Sequence, residues 1–403
     1  MTEQLILELA VVMIASAGLA VAAHYLRQPL IVAYLAAGVL FGPNSPVPAL
    51  RLVSQVEFVQ GTGGLGLVLL LFLLGLVLHP GRLLRIFRQA SLVTLCSASV
   101  FFLVGVGVTV AVTRLAPGTY DLTLGQALFI GCTTAFSSTL LVVKLLPTRR
   151  LHESAVGTLA IGVLIVQDVL AIVILLVMAA VSFGGAGPGL GIGWRLALGV
   201  GMLGAAFPVE RYLLSRLMRR IDKYPELMFV VSLAWCFALA AGADLLGFSR
   251  EIGAFVAGLA LARSPVSLYI WEKVVPVRDF FIVLLFFSLG AMVDTRSSDL
   301  GPVLLLSGLL ALILVLLKPY LFQFALRVAR AEPALAEEAG WRLGQCSEFG
   351  LVIAFLARSQ GLIGTQAFDL ILVTTLLSFL ASTYIVVLKY PSPLGVTSRM
   401  QER

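Results

Sequence analysis

Charge is what this sequence has least of. Only 12% of its 403 residues are Asp, Glu, Lys or Arg, and 60% are hydrophobic; soluble domains carry about twice that charged share. The scarcity excludes a water-soluble enzyme or binding module and leaves a chain that lies largely in lipid. Histidine is rarer still: His24, His79 and His152 fall at three separate predicted inward loops, where they read as interfacial bystanders rather than a pH sensor. The four cysteines, Cys96, Cys132, Cys236 and Cys346, sit in apolar segments without metal-ligand spacing. Neither a disulfide framework nor a zinc site is expected from them. No Gly-x-Gly-x-x-Gly opens a strand-and-helix unit, so nucleotide binding has no support.

The 28 Lys and Arg outnumber the 21 Asp and Glu, for a formal charge of +7. Such an excess can mark a nucleic-acid partner, but here its placement is topological. With the N-terminus outside, the inward loops collect Arg82, Arg85 and Arg88, then Lys144, Arg149 and Arg150, then Arg211, Arg216, Arg219, Arg220 and Lys223. The outward loops hold isolated arginines such as Arg51, Arg114 and Arg250. The positive-inside rule then puts the C-terminus in the cytoplasm and leaves the lipid bilayer, not nucleic acid, as the partner.

Long apolar runs fill the space between the charged clusters. At roughly 20 residues per crossing they make about thirteen spans: 5–23, 30–41, 64–78, 90–112, 124–146, 155–181, 195–214, 227–246, 252–262, 275–293, 302–324, 339–357 and 367–388. The fold class is therefore an all-α polytopic membrane protein. The first run opens with Glu3 and Glu8 and lacks a basic leader, so it reads as a retained helix rather than a cleaved signal. Thirteen spans divide into six, one connector and six, and an odd connector inverts the second six, which is the arithmetic of an inverted repeat. Span five carries Gly131-Cys132-Thr133-Thr134-Ala135-Phe136-Ser137-Ser138-Thr139, and span twelve carries Gly344-Gln345-Cys346-Ser347-Glu348-Phe349-Gly350. Each is the fifth helix of its six. Hydroxyl, amide and glycine residues compete with helical hydrogen bonding and support unwound backbone. They are also ordinary packing material in membranes, but their matched position in the two halves decides for two broken helices crossing near the midplane.

A charge at mid-span costs about 2.5–3.5 kcal/mol, so each needs a reason. Asp168 follows Gln167 deep in span six, Lys318 precedes Pro319 in span eleven, and Glu348 lies in the polar break of span twelve. A buried carboxylate holds either a proton or a partly dehydrated monovalent cation, never both, and that competition couples the two flows. The plainer reading of Asp168 is an ion pair with Lys318 that only joins helices; acids at the membrane midplane are functional by default, which favours transport. Gln167 offers a neutral oxygen suited to a large ion such as potassium, and Thr134, Ser137 and Ser138 offer hydroxyls. Lys318 has two readings, a proton-exchanging group or a fixed countercharge to Asp168 in the cation-free state, the second narrowly preferred. Ser347 and Glu348 cap the half-helix after the second break, or Glu348 acts as a cavity acid. Arg342 reads as an anchor at the membrane edge, and Glu251 as part of an outer helix start. The cargo would be potassium or sodium and protons, with no resident cofactor.

Taken together, Ser137-Ser138-Thr139, Gln167-Asp168, Ile252 to Gly258, Phe287 to Asp294 and Gly344 to Phe349 resemble the Kef-type branch of the monovalent cation:proton antiporter-2 group. The resemblance covers essentially the whole chain in order. It implies a thirteen-helix sodium/proton antiporter-like fold in a bacterial-type inner membrane, a homodimer made through a panel domain, a core domain that moves against it, and Asp168 as the carrier of cation and proton. The division it implies is 1–87 as first-repeat panel, 88–182 as first-repeat core, 183–225 as connecting helix and cytoplasmic loop, 226–300 as second-repeat panel, 301–390 as second-repeat core and 391–403 as a short cytoplasmic tail. Sodium-selective relatives often place a second acid or an asparagine where Gln167 stands, so the Gln-Asp pair leans to potassium. Glutathione-gated members continue into a nucleotide-binding domain where this chain stops at Arg403, which leaves a truncated transport domain or an antiporter without that regulation. A channel-like potassium efflux protein, the main competing class, would need a carbonyl filter or rings of acids, and the sequence shows neither pattern. A membrane enzyme would need a nucleophile–base pair or catalytic metal spacing, and neither is suggested.

Overall fold

A computed structural model describes residues 2–53, 56–77, 80–145, 155–182, 192–246, 248–262, 264–296, 299–390 and 392. Among these residues all regular structure is helical. In chain order the helices are α1 (Thr2–Tyr25), α2 (Leu30–Phe41), α3 (Val56–Val77), α4 (Pro80–Leu115), α5 (Leu124–Thr134), α6 (Thr139–Leu145), α7 (Ala155–Ser182) and α8 (Ile192–Val209). They continue as α9 (Ser215–Arg220), α10 (Pro225–Leu245), α11 (Arg250–Leu261), α12 (Ser267–Ala291), α13 (Leu300–Val328), α14 (Pro333–Arg342), α15 (Glu348–Ser359) and α16 (Thr365–Lys389).

These sixteen pieces compose the thirteen expected spans. α5 and α6 are the two halves of span five, α14 and α15 the two halves of span twelve, and a π turn at Glu210–Leu214 joins α8 to α9. Six described helices are long and apolar enough to cross a membrane alone: Ile6–Tyr25, Ala90–Leu115, Pro225–Leu245, Ser267–Ala291, Leu300–Val328 and Thr365–Lys389. The shorter ones include α2 and α11, which are 12 residues each and hold the same place in their halves.

Local chemistry sets the ends. α5 starts at a capping box in which Thr123 and Gln126 each accept the other's backbone N–H. α10 and α14 both begin with proline, whose fixed φ and missing N–H suit a first turn. Pro319 lies inside α13, and the helix runs through it without opening.

The chain packs as two compact units, one of Met1–Val56, Ile86–Ala171 and Phe287–Arg403, the other of Glu57–Arg85 and Ile172–Phe286. The first has a core of Val93, Phe101, Val142, Val163, Phe322 and Leu343, and the second one of Phe72, Met218, Met228, Cys236, Leu261 and Ile270. Each unit contains a reciprocal glycine crossing of the same kind. In the first, a Cβ on Gly38 of α2 would sit 2.0 Å from the Phe287 carbonyl of α12, and one on Gly290 would sit 2.1 Å from the Leu35 carbonyl of α2. In the second, Gly258 of α11 meets the Phe72 carbonyl of α3 at 1.9 Å, and Gly75 of α3 meets Phe255 at 2.4 Å. The first crossing joins spans two and ten, the second spans nine and three. Adding seven to a span's place in the first half gives its partner in the second, so the two crossings are the same contact repeated.

Candidate functional site

Both predicted breaks exist, and they meet. α5 ends at Thr134 and α6 restarts at Thr139; α14 ends at Arg342 and α15 restarts at Glu348. Unwinding frees backbone groups that no bilayer lipid can satisfy, and nearly all the buried polar side chains near the breaks serve them. Ser137 Oγ donates to the Leu343 carbonyl at 2.8 Å, and Gln345 Nε2 donates to the Ser138 carbonyl at 3.4 Å, so each break is bonded to the other. Ser138 Oγ accepts from Leu141 N at 3.0 Å at the start of α6. Ser347 Oγ accepts from Phe349 N at 3.1 Å and is the cap of α15.

Each break is also steadied by the sixth helix of its own half. Gln167 of α7 accepts the Ser137 N–H at 2.9 Å through Oε1. Ser378 of α16 accepts the Cys346 N–H at 3.1 Å through Oγ, and Ser382 donates to Gln345 Oε1 at 3.1 Å. Thr134 turns away from the crossing, donating to the carbonyls of Gly131 and Phe101.

The four half-helix ends sort by charge. The carbonyl-bearing ends of α5 and α14 converge on Lys318, whose ammonium donates to the Phe136 carbonyl at 2.6 Å and the Gln345 carbonyl at 3.0 Å. It is fully buried, with the Phe101 ring face 5.1 Å away. Lysine there neutralises two negative dipole ends at once. The amide-bearing ends of α6 and α15 face the acids. Glu348 is the first residue of α15 and is 2% exposed. Asp168 is 5% exposed, and the Thr139 hydroxyl approaches its two oxygens at 3.3 Å each.

An ion pair between Asp168 and Lys318 is therefore not the arrangement found: among the described residues Lys318 is bound to backbone carbonyls, and Asp168 to the Thr139 hydroxyl. Gln167 lies beside Asp168 in sequence, but its oxygen is taken by Ser137. Thr139, Ser378 and Ser382 are working groups that nothing in the sequence singles out, although Thr139 closes the Gly131–Thr139 motif. Arg342 is not the edge anchor that its place near a loop suggests. That side chain is 1% exposed, donates to the Leu145 carbonyl at 2.7 Å, and pairs with Glu338 at 2.6 Å, tying the end of α14 to the end of α6. His79 and His152 lie outside the described residues.

Chemically the crossing holds two buried carboxylates, Asp168 and Glu348; among the described residues Asp168 has one hydroxyl partner, and Lys318 is engaged with backbone carbonyls. A buried carboxylate in general can hold either a proton or a small cation. Among the described residues no group of three His, Cys, Asp or Glu is assembled to hold a metal ion.

Residues 10–389 match the family model for the transmembrane sodium/hydrogen exchanger domain. The chain is 30% identical over 363 residues to the iron transporter MagA of Paramagnetospirillum magneticum, covering 89% of this chain and 80% of that one. It is 28% identical over 386 residues to K(+) efflux antiporter 4 of Arabidopsis thaliana, of which it spans 63%, and 30% identical over 346 residues to the glutathione-regulated potassium-efflux system protein KefC of Salmonella heidelberg, of which it spans 52%. In fold it is similar to the sodium proton antiporter MjNhaP1 of Methanocaldococcus jannaschii, with a TM-score of 0.63 at 17% identity over 94% of this chain and 97% of that one.

Proposed function

Because the chain belongs to the sodium/hydrogen exchanger family, we propose that it is a secondary active transporter exchanging a monovalent cation for protons by alternating access around Asp168. The observation that carries this reading is the state of that carboxylate: buried and, among the described residues, without a cation partner and bonded by the Thr139 hydroxyl. In the cation-free site Thr139 donates to Asp168. When a cation arrives and the proton leaves, the same hydroxyl turns its oxygen lone pairs to the ion, joining the carboxylate in the first coordination shell. Lys318 stays on the Phe136 and Gln345 carbonyls throughout, a fixed countercharge to the broken helices that leaves the exchange to Asp168. No cofactor takes part in this cycle.

Potassium is the favoured cation, with sodium second. Support comes from the relatives named for potassium efflux rather than from Gln167, whose oxygen is occupied. Iron, suggested by the name of one relative, has no matching donor set here: among the described residues no group of three His, Cys, Asp or Glu is assembled, and hydroxyl, amide and carboxylate oxygens suit a hard monovalent ion better than a transition metal. The basic residues of one set of loops support an N-terminus outside and a C-terminus in the cytoplasm of a bacterial-type plasma membrane. The core that moves would comprise 88–182 and 301–390, and the panel segments 1–87 and 226–300 would join two copies as a homodimer.

The test is proton flux into liposomes holding the purified protein and a pH-sensitive dye, on adding potassium, sodium or lithium in turn. A cation-dependent signal that disappears in Asp168→Asn is expected. Potassium passage without proton movement would sink the exchange reading and leave a channel.

A further inference from the structure

Between the last turn of α8 and the C-terminal end of α11 lies a cavity of about 480 Å3, lined by Phe207, Pro208, Glu210, Arg211, Ser215 and Ser264 among others. It belongs wholly to the unit that does not carry Asp168. Its volume is within the roughly 300–1,000 Å3 usual for small-molecule sites. Here span seven passes from α-helix into the π turn at Glu210–Leu214, a distortion that is rare and concentrated at functional sites. Pro208, just ahead, has no N–H to give the preceding turn.

The π turn places the Glu210 side chain at the cavity wall, where the residue is 7% exposed. One carboxylate oxygen accepts the Ser215 hydroxyl. Among the described residues no Lys, Arg or His forms an ion pair with it, although Arg211 is the next residue. α11 ends at Leu261, and Ala260 and Ser264 line the same cavity. A helix C-terminus adds partial negative charge to that of the acid. A buried, unpaired carboxylate beside a negative dipole end is costly unless a cation meets it. A bare metal ion would need several oxygen ligands to replace its water, whereas the remaining walls are Phe207, Pro208, Tyr212, Ala260 and Pro265. Apolar and aromatic walls around one acid suit an organic ammonium.

Arg211 lines the same cavity and is exposed, its guanidinium 5.8 Å from the centre of the Tyr212 ring. Its planar donor fork matches a phosphate. Val209, Leu213 and Leu217 are exposed at 40%, 67% and 41%, and their spacing of four puts them in one row along the helix. An ammonium site, a phosphate donor and an apolar row follow each other along a single span, and we infer that this cavity binds the head of an ethanolamine phospholipid, with the ammonium on Glu210 and the phosphodiester on Arg211. A phosphatidylglycerol head brings a phosphate but no ammonium. A choline head brings a quaternary nitrogen that cannot donate a hydrogen bond to Glu210. The inference rests on the chain being a membrane protein, not on transport through Asp168.

Native mass spectrometry of the full chain tests it, with phosphatidylethanolamine, phosphatidylglycerol and phosphatidylcholine of identical acyl chains added in turn. Wild type should retain the ethanolamine lipid preferentially. Glu210→Gln should lower that retention about tenfold, the scale of one charge-assisted contact, and bring the three lipids level. Arg211→Ala should weaken all three alike. In wild type alone, the ethanolamine lipid should raise Tm above the values in the other two, a readout independent of whether either variant folds. Equal retention of the three lipids by wild type, or a preference that survives Glu210→Gln, would overturn the inference. So would displacement of the lipid by free ethanolamine at equal concentration, which would assign the cavity to a soluble amine. Exchange through Asp168→Asn controls is read separately in liposomes, so failure of the transport reading leaves the lipid result standing.

Discussion

Replacing Lys318 by methionine keeps the length and apolar stem of the side chain and removes only the ammonium. Two buried carbonyls, at Phe136 and Gln345, then lose their donor. Hydrogen bonds from a charged donor contribute about 1.5–3 kcal/mol each, which puts the gross loss at about 3–6 kcal/mol. Relief from burying a charge offsets part of this, so the lower end of the range is expected. At about 2.1 cal/mol/K of unfolding entropy per residue, 3 kcal/mol over 403 residues corresponds to a fall in Tm of about 4 °C. The assay is thermal unfolding of the detergent-purified protein followed by tryptophan fluorescence, beside proton flux in liposomes. Lys318→Arg, which keeps donors in place, should recover part of the stability. Asp168→Asn should leave Tm within about 1 °C, because that carboxylate has one long hydrogen bond to lose. A Lys318→Met protein as stable as wild type would refute the claim that this lysine holds the two negative helix ends together. One that is destabilised but exchanges at the normal rate would refute any part for Lys318 as proton carrier while keeping its structural one.

Thr139→Val, which removes the hydroxyl that bonds Asp168 while keeping the shape, should raise the half-saturating cation concentration several-fold with little change in Tm, checked by dose–response in the same liposomes. Gly258→Leu should abolish folded protein, since even a Cβ would lie 1.9 Å from the Phe72 carbonyl of α3 and backbone cannot yield cheaply there; expression with a fluorescent tag and size-exclusion elution reads this out. Arg342→Ala strips a buried contact to the Leu145 carbonyl and a part-buried pair with Glu338. It should lower Tm by roughly 2–4 °C, from about 2–3 kcal/mol lost.

The spans were legible because a bilayer imposes a length on every crossing, so runs between charges translate directly into helices. The breaks were legible for a related reason: Ser137, Ser138, Gly344 and Ser347 have no place in a lipid-facing helix unless backbone needs them. What the sequence could not show is direction. Asp168 and Lys318 have opposite charge and both lie mid-span, so pairing them is the obvious guess. Their elements turn them to different ends of the broken helices, and opposite dipole ends draw them apart. Ser378 and Ser382 were illegible for another cause. On a long apolar helix, hydroxyls at one-turn spacing read as packing material, and only the crossing shows that they face an unwound strand. Arg342 was misread because a basic residue near a loop is usually an anchor, and nothing local signals that the Leu145 carbonyl waits for it inside.

The two halves of the chain give Gln167 a different role from the one its sequence suggests. In the first half, the sixth helix accepts a break N–H through Gln167; in the second, the sixth helix does the same through Ser378, at 2.9 and 3.1 Å. A serine at the matching place cannot be there to bind the transported ion in both halves, whereas both are needed to hold an unwound strand. Gln167 is on this reasoning a positioning residue, and the acid after it is what distinguishes the first half. Gln167→Leu should then cost about 1–3 kcal/mol for the buried N–H left unmet and slow the maximal exchange rate, while the half-saturating cation concentration stays within about twofold. A ligand would behave in the opposite way, raising that concentration first, since ground-state binding is what a coordinating oxygen supplies. The comparison with Ser378→Ala makes the distinction sharp. If both variants lose rate at constant apparent affinity, the repeat symmetry explains Gln167; if only Gln167→Leu loses affinity, its oxygen leaves Ser137 during the cycle and joins the ion.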